Sequence, residues 1–341
     1  MSLALNILVF VAASVVVWKA GVRLSEMALV LSERTGLGKV FVGTLVLGLA
    51  ASLPELTTGM VAARRGQGPL ALNTLLGGVA VTMAMLAVAD LREGRQALSA
   101  KVRRPIVPLE GIFVVLGLLG VAGGVVAGDR GLLGFGAWTL GIGGLCLVLL
   151  WVVQRNERHQ PWTPSDRADP REETPRSAPE RTSGLSTPRL ALALILTALM
   201  VVAAGYGLAV TSEGLAAQTG LGAGFAGFFL AGVATSLPEL GTIVGAVRLR
   251  QFEMAFGDAF GSNLLSLALV LPADWVAPGG PILLTAGRFT LFAVLHGIAL
   301  TMVYVVGLLF RRRATVLRMG VDSLAVLVLY VAGTCVLFRM R

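Results

Sequence analysis

The sequence predicts an all-α polytopic membrane protein with ten transmembrane helices in two inverted-topology halves of five. Three observations predict this fold class: the composition, ten long apolar segments, and an internal repeat. Hydrophobic residues make up 55% of the 341 residues, charged residues only 14%, and the mean hydropathy is +0.81. Soluble domains contain about 25% charged residues, so this composition indicates a chain that lies largely in lipid.

A helix needs about 20 mostly apolar residues to cross the hydrocarbon core of a bilayer. The candidate spans are residues 3–27, 39–63, 69–90, 105–127, 131–153, 189–212, 223–247, 252–274, 282–310 and 315–338. The first has no basic leading region and no clear cleavage site, so we expect a retained helix rather than a signal peptide. Both cysteines, Cys146 and Cys335, fall within spans, which argues against a disulfide framework or a cysteine metal site.

A polar segment separates the fifth span from the sixth. Residues 154–188 are rich in Arg, Glu, Asp, Pro, Ser and Thr, and are too polar to form a packed core. We therefore expect a disordered connector here. It divides the chain into a first transmembrane half, 1–153, and a second, 189–341.

The distribution of basic residues predicts the orientation of the halves. Because each half has five spans, the second must enter the membrane in the opposite sense to the first. With the connector in the cytoplasm, 22 Lys and Arg residues lie inside and six outside. Basic residues concentrate in cytoplasmic loops, so we expect a cytoplasmic connector and both termini outside. The same pattern accounts for the net charge of +9, so the excess of basic residues does not indicate nucleic-acid binding.

The two halves contain copies of one sequence. Laying 35–90 over 219–274, a constant shift of 184 without gaps, matches 22 of 56 residues. Each copy contains Ser-Leu-Pro-Glu-Leu, at 52–56 and at 236–240. Inverted repeats with interrupted helices place a transporter's substrate near the bilayer midplane, between the repeats.

The prolines of these motifs predict where the helices are interrupted. Proline lacks a backbone N–H and disfavours helix at the preceding residue, so Pro54 and Pro238 should break the second and seventh spans. The carbonyls freed just before them, around 50–51 and 234–235, would then be available to a cation.

The repeated glutamates, Glu55 and Glu239, have two interpretations. Ser-x-x-Glu is a capping box, in which Ser52 or Ser236 and the following glutamate satisfy backbone N–H groups at a helix start. An acidic residue at the bilayer centre, however, costs about 2.5–3.5 kcal/mol, and glutamine would cap as well without a charge. A functional pair at two equivalent positions is therefore the favoured interpretation, and capping and ion binding are compatible.

Two opposed carboxylates favour a hard divalent cation. Glu55 and Glu239 offer up to four oxygens, and backbone carbonyls with the hydroxyls of Ser52, Ser236 and Thr235 would complete an oxygen shell suited to Ca²⁺. Two negative charges balance one Ca²⁺. Without it, Na⁺ or protons should neutralise the same pair, so competition for shared ligands provides a route to exchange.

At this point the sequence resembles a known family. The duplicated motif, followed by Gly-Asp-Ala-Phe-Gly-Ser-Asn at 257–263, is similar to the alpha-repeats of the calcium/cation antiporter superfamily, which includes the sodium/calcium exchangers. The resemblance implies a sodium/calcium exchanger-like fold, with alpha-repeats at about 35–90 and 219–274. It also implies that the first and sixth helices slide across the ion site.

The resemblance further implies a set of ion ligands. Glu55 and Glu239 would be the main Ca²⁺ ligands, with Ala51 and Thr235 contributing backbone carbonyls. The hydroxyls implied toward Na⁺ sites are those of Ser52, Ser236 and Ser262.

The chain departs from the family pattern mainly in its first repeat. The serine expected there is Gly78, and two positions that are usually Asn or Asp are Thr82 and Ser266. Sodium coupling, proton coupling or a different cation therefore all stay open. Four further residues are secondary candidates for ion binding: Asp258, Asn263, Thr82 and Ser266.

Three other polar residues within spans have simpler interpretations. Asp90 and Asp274 share the repeat register and fall near helix ends, where we expect them at the solvated interface. His296 is expected to be a packed histidine, with a proton relay as the alternative.

The predicted function is a secondary antiporter, exchanging Ca²⁺ for Na⁺ or H⁺ by alternating access at the two glutamates. The alternative is a degenerate exchanger-fold protein that binds cations or regulates a partner without Ca²⁺ exchange. The sequence has no catalytic or ATP-binding motif, so neither an enzyme nor a pump is predicted. We expect no cofactor, partners limited to inorganic cations and the lipid bilayer, and a bacterial inner (plasma) membrane location. The sequence specifies no oligomeric state.

Overall fold

The computed structural model is a bundle of helices. It describes residues 2–35, 48–93, 96–156, 187–248, 250–311 and 314–341. The helices are α1 (Leu3–Thr35), α2 (Gly48–Arg64), α3 (Gly68–Glu93), α4 (Leu98–Lys101), α5 (Ile106–Ala127), α6 (Ala137–Asn156), α7 (Thr187–Thr219), α8 (Ala223–Phe225), α9 (Gly232–Thr235), α10 (Leu237–Arg248), α11 (Phe252–Ala268), α12 (Val270–Val276), α13 (Arg288–Phe310) and α14 (Val321–Arg339).

Four short elements complete the chain order. A π-helical segment, Ala226–Ala231, joins α8 to α9, and a 3-10 helix, Ile282–Thr285, precedes α13. Two antiparallel hairpins are formed by β1 (Gly131–Leu132) with β2 (Phe135–Gly136), and by β3 (Thr315–Val316) with β4 (Met319–Gly320).

Each of the ten predicted spans coincides with helix in the described residues. In the described part of the chain, seven helices are long and apolar enough to cross a membrane, or eight when the bent pair 223–235 and 237–248 is taken as one span. The apolar part of α6, Ala137–Val153, is shorter, and the predicted span 39–63 is described only from Gly48 onward. The helical architecture is therefore confirmed, and ten crossings remain consistent with it.

The helices differ in what surrounds them. α3 is almost wholly buried, whereas most residues of Leu3–Ala20 in α1, and of α14, are not buried in the bundle, as in lipid-facing helices. The main core joins α3, α5, α11 and α13, and α1 packs along α7 at one side of it. The predicted connector falls mostly on 157–186, outside the described residues, and the division into halves at 153 and 189 stays a prediction.

Only one of the two predicted proline breaks is present. The helix bends by 45° at Ser236, between α9 and α10, two residues before Pro238. The predicted break at Pro54 is wrong, because α2 continues through this proline from Gly48 to Arg64. Proline removes one hydrogen bond from a helix, and a helix held by its neighbours tolerates that loss.

Glycines let the π-helical segment lie directly on α3. A Cβ atom at Gly77 would overlap the backbone of Phe228, and one at Gly227 would overlap the backbone of Leu70. A Cβ at Gly232 would lie 3.0 Å from Gly77. Small residues allow membrane helices to approach this closely. The contact brings the second repeat against the centre of the first.

The repeat extends beyond the segment in which sequence identity is visible. β1 and β2 lie 184 residues before β3 and β4, and the pairing of Gly131 with Gly136 has its counterpart in Thr315 with Gly320. Leu133 and Leu317, also 184 residues apart, have positive φ of 54° and 52° in the two turns. The shift of 184 therefore relates structure well past residue 90.

The repeated aspartates are buried clamps between the halves, so their predicted interfacial exposure is wrong. Asp90 is 1% exposed and accepts hydrogen bonds from the backbone N–H groups of Leu98 (2.9 Å) and Gly320 (2.6 Å). Each carboxylate thus ties a helix of its own half to the hairpin of the other half.

Asp274 repeats this pattern with equivalent residues. It is 3% exposed and accepts from the N–H groups of Ile282 (2.5 Å) and Gly136 (2.6 Å), and from the hydroxyl of Thr139 (2.6 Å). Ile282 and Gly136 are related to Leu98 and Gly320 by the same shift of 184. Buried carboxylates are retained where such hydrogen bonds satisfy them.

Candidate ion-binding site

Glu55 lies at the contact between the two repeats. It is 2% exposed, and it is held by two hydroxyls of the other half. Ser236 donates to Oε1 at 2.9 Å, and the hydroxyl of Ser266 contacts Oε2. The first-repeat glutamate is therefore bound by second-repeat side chains, and one of the secondary sequence candidates, Ser266, belongs to its immediate surroundings.

Glu239 differs from Glu55 in having an unused oxygen. It is 1% exposed, near the start of α10, and its buried Oε2 has no hydrogen-bond partner among the described residues. The hydroxyl of Ser52, which is 2% exposed, is likewise buried and without a partner. Glu239 lies within electrostatic range of the Glu55 charge. A buried polar group without a partner is costly, so each of these two atoms would be stabilised by a bound cation.

The inverted symmetry of the repeats is broken at this point. The symmetry counterparts of Ser236 and Ser266 are Ser52 and Thr82, which would bind Glu239 if the two repeats were equivalent. Thr82 instead donates to the carbonyl of Gly78 in its own helix at 2.9 Å. One glutamate is consequently satisfied by the protein, and the other has spare acceptor capacity.

Gly78 makes room for this arrangement. A Cβ atom at this position would overlap Oε1 of Glu55 and lie 3.2 Å from Oγ of Ser236. A serine, which the resemblance noted from the sequence implies at this position, would compete for the volume that the Glu55 carboxylate occupies. Glycine at this position therefore leaves the space in which the Glu55 carboxylate lies in this chain.

The predicted backbone ligands lie at the two proline motifs. The hydroxyl of Thr235 donates within its helix to the carbonyl of Ala231 at 2.9 Å, and its own carbonyl is the ligand that the resemblance implies. Thr235 is the last residue of α9, directly before the bend. Ala51 lies inside α2, where Pro54 deprives the carbonyl of Ala50 of its helical donor.

The remaining predicted residues lie on α11. The hydroxyl of Ser262 donates within the helix to the carbonyl of Ala259 at 3.2 Å. Asn263 donates across the repeat contact to the carbonyl of Val79 at 3.4 Å. Asp258 contacts the hydroxyl of Thr242, and its Oδ1 is buried without a partner.

Thr242, whose hydroxyl also donates to the carbonyl of Glu239 at 2.9 Å, was not predicted as a site residue. Two signals could have identified it: its position one helical turn after Glu239, and the threonine at the equivalent position of the first repeat, Thr58. The donor set is oxygen-only. In the part of the chain that the structure describes, no group of three His, Cys, Asp or Glu side chains is arranged to hold a metal. A cation here would depend on two carboxylates supplemented by hydroxyls and carbonyls, as the sequence predicts.

Membrane helices in two inverted halves, with buried carboxylates where they meet, define the class of secondary transporters. The model of the family described as sodium/calcium exchanger protein matches residues 5–165 and 189–339. The chain belongs to this family, whose members are secondary transporters of cations and not enzymes. The resemblance noted from the sequence is thereby confirmed.

Individual relatives agree with this assignment. Inner membrane protein YrbG from Escherichia coli (strain K12) is 26% identical over 268 residues, which cover 78% of this chain and 76% of that protein. The chain is an integral membrane protein, and this relative is a bacterial inner membrane protein.

Solved structures show the same fold at low identity. The H+/Ca2+ exchanger CAX has a TM-score of 0.69 at 14% identity, with 98% of this chain and 85% of that chain covered. YfkE has a TM-score of 0.65 at 12% identity, covering 98% and 92%. The sodium-calcium exchanger NCX_Mj has a TM-score of 0.57 at 14% identity, covering 96% and 97%. The exchanger fold predicted from the sequence is confirmed.

Proposed function

We propose that this protein is a Ca²⁺ antiporter that exchanges Ca²⁺ for Na⁺ or H⁺ by alternating access at Glu55 and Glu239. The observation that carries the proposal is the pair of buried, unpartnered oxygens, Oε2 of Glu239 and Oγ of Ser52, contributed by opposite repeats. A cation between them would gain a charged and a neutral oxygen ligand. It would also relieve the burial of an uncompensated acceptor.

Glu55 supplies the second carboxylate in this proposal. To bind the ion, Glu55 must exchange its contacts with Ser236 and Ser266 for contacts with the cation. The two serines contact Glu55 again when the ion leaves. The carbonyls of Ala51 and Thr235 would add to the Ca²⁺ shell. The hydroxyls of Ser52, Ser236 and Ser262 would serve Na⁺.

Exchange follows from competition for the same charges. With both glutamates ionised and no cation, two negative charges would share a low-dielectric site, which is unfavourable. Ca²⁺, Na⁺ or protons each relieve this repulsion. One ion therefore leaves readily only when another replaces it.

The moving parts are proposed to be α1 and α7. They pack along each other and against α2 and the bent helix pair that contains α10. Sliding of these two helices across Glu55 and Glu239 would open the site to one side of the membrane and then to the other. In this proposal the connector is cytoplasmic and both termini lie outside.

The proposal is tested by flux in proteoliposomes. Ca²⁺ uptake is measured with an imposed Na⁺ gradient, an imposed H⁺ gradient, or neither, for the wild-type protein and for Glu55→Gln. We expect uptake driven by one of the gradients in the wild type, and its loss in Glu55→Gln. Absence of gradient-driven uptake in the wild type would contradict the proposal.

A matched control removes a carboxylate outside the site. Glu213 forms an ion pair with Arg65 at 2.6 Å on the exposed surface, so Glu213→Gln should transport like the wild type. A wild type that binds Ca²⁺ without transporting it would instead favour the cation-binding, regulatory alternative. Binding that survives Glu55→Gln combined with Glu239→Gln would support that alternative further.

A further inference from the structure

Beside Glu239, α10 and α11 bring together a second set of oxygen ligands. The hydroxyl of Thr242 lies between the backbone carbonyl of Glu239 and Oδ2 of Asp258. Among the residues that the structure describes, Oε2 of Glu239 and Oδ1 of Asp258 are both buried and have no hydrogen-bond partner. Asp258 also lies within electrostatic range of Glu239. The Thr242 hydroxyl thus contacts both acidic residues, Asp258 through its carboxylate and Glu239 through its backbone carbonyl.

These residues lie to one side of the central glutamate pair. α10 continues from Glu239 past Thr242 to Arg248, and α11 begins at Phe252, so Thr242 faces Asp258 across the turn between the two helices. Thr242 is one helical turn, about 5 Å, nearer that turn than Glu239 is. The set therefore extends from the central pair toward one end of the bundle.

The other repeat has no such set. The counterparts of Thr242 and Asp258, shifted by 184 residues, are Thr58 and Thr74. Thr58 donates to the carbonyl of Gly205 at 3.0 Å, and Thr74 donates to the carbonyl of Leu70 at 2.7 Å. Both hydroxyls donate to backbone carbonyls, that of Thr58 on α7 and that of Thr74 in its own helix, and neither position carries a charge. The second repeat thus has a carboxylate at position 258, and the equivalent position of the first repeat does not.

We infer that Glu239, Thr242 and Asp258 form a second cation subsite, on the α10–α11 turn side of the Glu55–Glu239 pair. It would take a hard divalent cation, since its ligands are two carboxylates and a hydroxyl. Because Glu239 belongs to both sites, an ion passes between them by exchanging Asp258 for Glu55 while it keeps Glu239. The inference rests on the proposed function.

The shared glutamate gives the subsite a directional role. An ion approaching from the α10–α11 turn meets Asp258 before the central pair, and the opposite approach has no equivalent carboxylate. Asp258 therefore raises the apparent affinity for the cation on one face of the membrane. Loss of its charge should weaken Ca²⁺ capture from that face and leave capture from the other face unchanged.

The test compares Asp258→Asn with the wild type and with Thr74→Val, the matched change at the symmetric position. Half-saturating Ca²⁺ concentrations for flux are measured in right-side-out and in inverted membrane vesicles. In Asp258→Asn we expect an increase of about tenfold from one face, equivalent to about 1.4 kcal/mol, and little change from the other. Thr74→Val should match the wild type on both faces. Equal increases on both faces, or none, would overturn the inference.

Equilibrium binding of ⁴⁵Ca²⁺ to the detergent-solubilised protein separates this inference from the proposed function. Weaker binding in Asp258→Asn than in the wild type supports the subsite, even if the wild type shows no gradient-driven flux. Unchanged binding together with unchanged flux removes the subsite and leaves the proposed function intact. Size-exclusion profiles and Tm values of the variants establish that each is folded.

Discussion

The side-chain amide of Asn263 donates a hydrogen bond of 3.4 Å to the backbone carbonyl of Val79, the residue that holds the same position in the other repeat. A residue that contacts its own counterpart lies close to the axis that relates two copies. The axis of the inverted repeat therefore passes near this bond. Gly78 and Ser262, the preceding pair of counterparts, lie beside it, and Gly78 is in contact with Glu55.

Gly78→Ala should disturb the ion site without preventing folding. The added methyl group would overlap Oε1 of Glu55, which is the end of a flexible side chain and can move, but only by leaving Ser236. We expect a decrease in Ca²⁺ affinity of about tenfold, with Tm changed by only a few degrees. ⁴⁵Ca²⁺ binding and thermal unfolding in detergent measure the two effects.

Two neighbouring glycines provide the controls for Gly78→Ala. Gly59→Ala should be neutral, because the nearest atom to its new Cβ is Cδ2 of Leu75 at 3.9 Å. Gly77→Ala should fail to fold, since its Cβ would overlap the backbone of Phe228. Wild-type Ca²⁺ affinity in Gly78→Ala would show that the position of Glu55 does not govern binding.

Ser266→Ala should destabilise the protein and change the ion site together. Removal of the hydroxyl leaves Oε2 of Glu55 buried without its partner, at a cost of about 1–3 kcal/mol. The free energy of unfolding, measured in detergent, should fall by that amount in the absence of Ca²⁺. Saturating Ca²⁺ should restore part of the difference, because the cation replaces the lost donor.

Ser262→Ala is the matched serine variant. Its hydroxyl bonds only to the carbonyl of Ala259, so stability without ions should stay within about 0.5 kcal/mol of the wild type. The Na⁺ dependence of flux should change if the hydroxyl serves Na⁺ as proposed. Equal destabilisation by Ser262→Ala and Ser266→Ala would contradict the assignment of Ser266 to Glu55.

Asp90→Asn and Asp274→Asn should each lower stability by about 1–3 kcal/mol. The donors at each aspartate bind different carboxylate oxygens, and an amide replaces one of these acceptors by an NH2 donor, so each variant loses at least one bond. We expect the two losses to add, because the clamps share no residue. Thermal unfolding of the single and double variants measures this. A double variant no less stable than the singles would show that the two clamps are not independent.

The predicted orientation can be tested by labelling the connector. A cysteine at Ser177, introduced in a Cys335→Ala background, should react with a membrane-impermeant maleimide in inverted vesicles and not in intact cells. Cys146 is buried and should not contribute to the signal. Labelling from outside intact cells would reverse the predicted topology.

The sequence predicted the fold and the central glutamates for clear physical reasons. Long apolar segments must form helices in lipid, and a buried acidic residue repeated in Ser-Leu-Pro-Glu-Leu is too costly to be incidental. The unbroken helix at Pro54 could not be predicted, since tolerance of a proline depends on what packs around it. The bend at Ser236 and the helix through Pro54 come from the same motif in different surroundings.

The exposure predicted for the two repeated aspartates was wrong for a related reason. Asp90 and Asp274 fall near helix ends in sequence, which is typical of solvated residues, but loops from the opposite half cover both. Such coverage depends on contacts between residues more than 100 positions apart. The same holds for Ser266, whose contact with Glu55 spans 211 residues.

The hydrogen bonds by which Asp90 and Asp274 each reach the opposite half have a consequence for the origin of the chain. Asp90 binds the hairpin of the second half, Asp274 binds the hairpin of the first, and the donors are equivalent residues. If the two halves were separate, identical polypeptides inserted in opposite orientations, these bonds would form a reciprocal, isologous dimer interface. The molecule thus preserves, within one chain, the contacts of an antiparallel dimer. Within one chain the two copies are free to differ, as Thr74 and Asp258 do at equivalent positions.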